Sequence, residues 1–62
     1  MGLFGGGDYK VTRPGMFGPV TVESYLSKKG AHSKAQQLSL DGTKYFVETL
    51  AGEHIATYKN GR

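Results

Sequence analysis

Ser33-Lys34-Ala35-Gln36-Gln37-Leu38-Ser39-Leu40-Asp41-Gly42 is the stretch whose reading decides the fold. Read as a helix, Ser33 is the N-cap, residues 34–38 are good helix formers, and Gly42 stands where a helix stops. Ala31, Ala35 and Leu38 then share one apolar face. Read as a strand, Gln37-Leu38-Ser39-Leu40 alternates, and Asp41-Gly42 is a hairpin turn. The helical reading is preferred and predicts a short helix of about two turns that depends on tertiary packing.

Working outward, Lys44-Tyr45-Phe46-Val47-Glu48-Thr49-Leu50 is rich in aromatic and branched residues and reads as a strand. Tyr45 and Val47 occupy one face, with Phe46 and Leu50 on the other. Ala51-Gly52-Glu53 is a loop, and His54-Ile55-Ala56-Thr57-Tyr58-Lys59 is a second strand that ends at the turn residues Asn60-Gly61. On the N-terminal side, Asp8–Arg13 sets Tyr9 and Val11 inward against Lys10 and Thr12 outward. Pro14-Gly15-Met16-Phe17-Gly18 is a loop with two large apolar residues at its tip. Val20–Tyr25 alternates again, with Val20 and Val22 expected inside and Thr21 and Glu23 outside. Ser27-Lys28-Lys29-Gly30-Ala31-His32 is polar and broken by glycine, so it reads as a connection. The sum is β-β-α-β-β, a small α+β fold with one short helix on an antiparallel sheet. A small all-β barrel of five strands is the alternative. Residues 1–7 form a glycine-rich N-terminal arm, and residues 8–62 a single small domain.

With 62 residues and no cysteine, the chain has a small core and no disulfide or thiolate metal site to support it. His32 and His54 are too few for a histidine-built metal site, so no metal and no cofactor is expected. Eight basic and five acidic residues give a net charge of +3, a mild excess short of a dense nucleic-acid-binding stripe. Apolar runs are two or three residues long, which predicts no membrane span. The first residues lack the basic start and apolar stretch of a signal peptide. A soluble protein of the cytoplasm or a virion is the expected setting.

Catalytic motifs are missing from the sequence. The glycines of the arm are not followed by Gly-Lys-Ser/Thr, and Lys10 stands where a dinucleotide fingerprint needs its third glycine. Ser, His and Asp occur, but without a Gly-x-Ser-x-Gly elbow, and no catalytic residue is assigned. Binding is the better reading. Leu3, Phe4, Met16, Phe17 and Phe46 are large apolar groups that one sheet and one short helix cannot all cover, and clustered exposed apolar surface marks protein contacts. Either the arm and loop fold back over the sheet, or they dock on a larger partner or a second copy. An alternative set, Lys28, Lys29, Lys34 and Tyr25, offers charge and a stacking face to nucleic acid.

The opening Met1-Gly2-Leu3-Phe4-Gly5-Gly6-Gly7 resembles the starts of short tailed-phage structural and accessory proteins. The resemblance spans these seven residues and implies a virion or assembly role. The expectation is a non-enzymatic interaction module, a structural or assembly component docking through apolar anchors. A small nucleic-acid-binding or regulatory protein, such as an inhibitor of a host enzyme, is the alternative.

Overall fold

Alternation over Tyr9-Lys10-Val11-Thr12-Arg13 makes this segment a strand, β1 (Tyr9–Arg13). The structure, a computed structural model that describes residues 7–62, places β1 in the interior of a four-stranded sheet. A wide loop leads to β2 (Val20–Leu26), which pairs antiparallel with β1. Then come the helix α1 (Lys28–Leu38) and a single 3-10 turn at Ser39–Asp41. Strands β3 (Tyr45–Thr49) and β4 (His54–Tyr58) form the closing hairpin. The spatial order is β2-β1-β3-β4, with every neighbouring pair antiparallel. This is the expected β-β-α-β-β, an open α+β sheet rather than a barrel.

The order of the strands explains why a helix is needed. Because β2 and β3 each run antiparallel to β1, they run parallel to one another, and a parallel pair cannot be joined by a tight turn. The helix makes that crossover and comes to lie chiefly over β1 and β3. Ala31 and Ala35, both fully buried, let its backbone approach Val11, Tyr45 and Val47, the rest of the core. Tyr9, Leu26, Leu38, Ala56 and Tyr58 pack around this cluster. Among the described residues, all the buried apolar side chains belong to one layer between helix and sheet.

Three local expectations are corrected. The helix begins at Ser27, not Ser33. The Ser27 hydroxyl accepts from the Gly30 N–H at 3.0 Å, and the connection expected over 27–32 is the first turns of α1. Glycine there costs roughly 1 kcal/mol of helix propensity against alanine, which the Ser27 cap on its N–H offsets. Gly42 does end the helical segment, with φ +91°, so Asp41-Gly42 is a cap and not a hairpin turn.

Val20 and Val22 do not lie inside; they are 39% and 40% exposed. β2 is an edge strand displaced from the helix, and its register against β1 slips between Tyr9 and Val11 and again between Val11 and Thr12. Each slip inserts an unpaired residue and destroys the period-two pattern. Thr12, expected outside, is buried. Its short side chain sits in an interior strand between Thr21 and Phe46, and its hydroxyl donates to Glu48 Oε2 at 3.3 Å.

Candidate functional site

The β1–β2 loop carries the most exposed apolar side chains among the described residues. The Gly18 N–H reaches back to the Gly15 carbonyl at 3.4 Å, closing a turn with Met16 and Phe17 at its centre. Gly18 has φ +119°, a conformation that favours glycine. A Cβ on Gly15 would come within 2.6 Å of both the Gly18 carbonyl oxygen and Val20 Cγ2, so only glycine fits that side of the turn. Pro14 and Pro19 flank it and fix two further φ angles. The result is a turn closing a paired hairpin, with Met16 89% and Phe17 97% exposed. Neither side chain contributes to the core.

Topology sets a particular charge pattern at the tip's end of the sheet. β1 ends where β3 begins and β4 finishes, so Arg13, Lys44 and Lys59 share the tip's end of the sheet. Arg62 joins them, because Lys59 and Arg62 exchange backbone hydrogen bonds of 3.3 and 3.1 Å. The one acidic side chain at this end is Asp41, which accepts from the Thr43 N–H at 2.8 Å.

The other predicted anchors stand apart from the tip. Phe46 is half-buried on the sheet face away from the helix, edge-on to the His54 ring with centroids 6.1 Å apart. Leu3 and Phe4 lie outside the described residues. Of the alternative set, Lys28 and Lys29 are exposed in the first turn of α1, at the opposite end of the sheet. Lys34 is paired with Glu23 at 3.3 Å, which offsets its charge. Tyr25 is 67% exposed with φ +59°. The remaining tyrosines are committed to the fold: Tyr45 is buried, Tyr9 and Tyr58 pack against the core, and Tyr58 Oη hydrogen-bonds His32 Nδ1 at 2.8 Å.

Elsewhere, a shallow groove of about 320 Å³ is lined by Ser33, Gln36, Gln37, Leu40 and Gly61. It carries no titratable group. Among the described residues no cluster of three or more His, Cys, Asp or Glu is placed to hold a metal ion, and no helix is long and apolar enough to cross a membrane. The charge pattern at the tip's end of the sheet is not legible in the sequence, because its contributors, from Arg13 to Arg62, are spread over most of the chain and only strand order brings them to one end. No protein-family model matches the chain, and neither do curated proteins or solved structures.

Proposed function

We propose that this chain is a non-enzymatic protein-interaction module, a small structural or assembly component that docks on a larger protein through Met16 and Phe17. The observation that carries the reading is the near-complete exposure of these two side chains at the centre of a hairpin turn. Burying such a side chain stabilises by about 1.5–3 kcal/mol, a gain this fold forgoes at both positions. Pro14 and Pro19 restrict the backbone on either side of the tip, which limits the entropy lost on binding. Phe46 and the arm residues Leu3 and Phe4 are further anchors in this reading. The resemblance of the arm to tailed-phage proteins supports an assembly role in the cytoplasm or a virion.

The test compares the full chain with its Phe17→Ser variant. Immobilised wild-type protein retains a defined protein from a lysate of its source cells, and the variant loses it while melting at the same temperature. Equal retention by both proteins overturns the reading, and so does a variant that unfolds.

A further inference from the structure

We infer that the partner offers the Met16–Phe17 tip an apolar pocket with an acidic rim. The inference rests on the docking reading above and adds the chemistry of the surface that receives it. Of the thirteen charged side chains, the cations Arg13, Lys44, Lys59 and Arg62 and the lone carboxylate of Asp41 occupy the tip's end. That end therefore holds a side-chain charge of +3, the whole net charge of the chain. The other four cations and four carboxylates cancel, and two of those pairs are in contact, Lys34 with Glu23 at 3.3 Å and Lys10 with Glu48 at 4.0 Å. An exposed apolar tip at the end of the sheet that carries the chain's net positive charge is complementary to a concave apolar site with carboxylates on its rim.

Two other anionic targets fit less well. A bilayer needs more apolar area than one Met and one Phe provide, since even a single myristoyl chain gives only marginal, reversible attachment. Single-stranded nucleic acid needs a row of open aromatic faces, and here three of the four tyrosines are packed into the fold. A shaped protein pocket answers both the two apolar side chains of the tip and the positive charge at its end of the sheet.

The probe is a displayed library of random dodecapeptides selected on the full wild-type chain. Selected peptides are then measured against Phe17→Ser and against the double variant Lys44→Glu/Lys59→Glu, each first shown to melt like the wild type. Peptides that need Phe17 are expected to carry carboxylates around aliphatic or aromatic residues. Their affinity should fall roughly tenfold or more for the charge-reversed chain, and should weaken as salt rises from about 50 to about 300 mM. Phe17-dependent peptides without an acidic excess, indifferent to the charge reversal, overturn the acidic rim and leave the docking tip standing. A selection yielding no Phe17-dependent peptide overturns both. Phe17-dependent retention on phosphatidylcholine–phosphatidylglycerol vesicles reassigns the tip to lipid and also overturns the inference.

Discussion

At the scale of single residues, two side chains hold the layers together in different ways. Val47 is fully buried under the helix, whereas Val22 is 40% exposed on the edge strand. Val47→Ala should cost about 1–3 kcal/mol in chemical denaturation, and Val22→Ala less than about 1 kcal/mol. Equal losses would mean that the edge strand is packed as tightly as the interior. Ser39 is a polar counterpart. It is completely buried, and its hydroxyl donates to the Gln36 carbonyl at 2.8 Å while accepting from the Gly61 N–H at 2.9 Å. Its own carbonyl accepts from the N–H groups of Gly42 and Asn60. Through Ser39 the residues after β4 are fastened to the end of the helix. Ser39→Ala leaves the Gly61 donor unpaired, with an expected cost of about 1–3 kcal/mol. Amide exchange at Gly61 should accelerate more than exchange in β1. Protection that falls equally at both sites would show a global loss instead of a released turn.

At the scale of elements, the start of α1 sets two effects against each other. Ser27→Ala removes the cap and should destabilise by about 1 kcal/mol. Gly30→Ala improves helix propensity by a similar amount, but the new Cβ would sit 2.9 Å from the Ser27 hydroxyl that makes the cap. The two changes therefore couple: Gly30→Ala should stabilise more in the Ser27→Ala background than in the wild type. A double-mutant cycle by urea denaturation measures this, and additive energies would mean that the hydroxyl moves aside freely. The same residues explain what the sequence concealed. Gly30 reads as a breaker and Ser33 as a cap, so the local pattern favours a shorter helix. Only the helix's position across the sheet rewards the earlier start, through the burial of Ala31 beside Ala35. The strands 45–49 and 54–58 were legible because aromatic and branched residues are dense there. The inward face of β2 was not, because its two register slips are set by pairing with β1 and leave no mark on its own alternation. Met16 and Phe17 were legible as a loop tip from their flanking glycines and prolines, but nothing local to that loop announces the charge collected at its end of the sheet.

At the scale of the whole molecule, fold and tip are separable. The core is one layer between α1 and the sheet, and the loop from Pro14 to Pro19 adds no side chain to it. In a domain this small, every ordered segment that buries nothing weighs on a narrow margin. Replacing Pro14–Pro19 by Asn-Gly would join Arg13 to Val20, residues already paired across β1 and β2, through a two-residue turn suited to a hairpin. Shortening the loop from six residues to two lowers the closure entropy by roughly 1 kcal/mol. The exchanged protein is therefore expected to unfold at the same urea concentration as the wild type or a higher one. It should bind neither the cellular partner nor the peptides that need Phe17, although Arg13, Lys44 and Lys59 remain. Charge alone steers an encounter and does not replace the apolar anchors that hold a complex. If the exchange unfolds the chain, the loop is part of the fold and its exposed side chains need no partner. If the exchanged protein stays folded and still binds, the anchors lie elsewhere, with Phe46 on the face away from the helix the next to be replaced by serine.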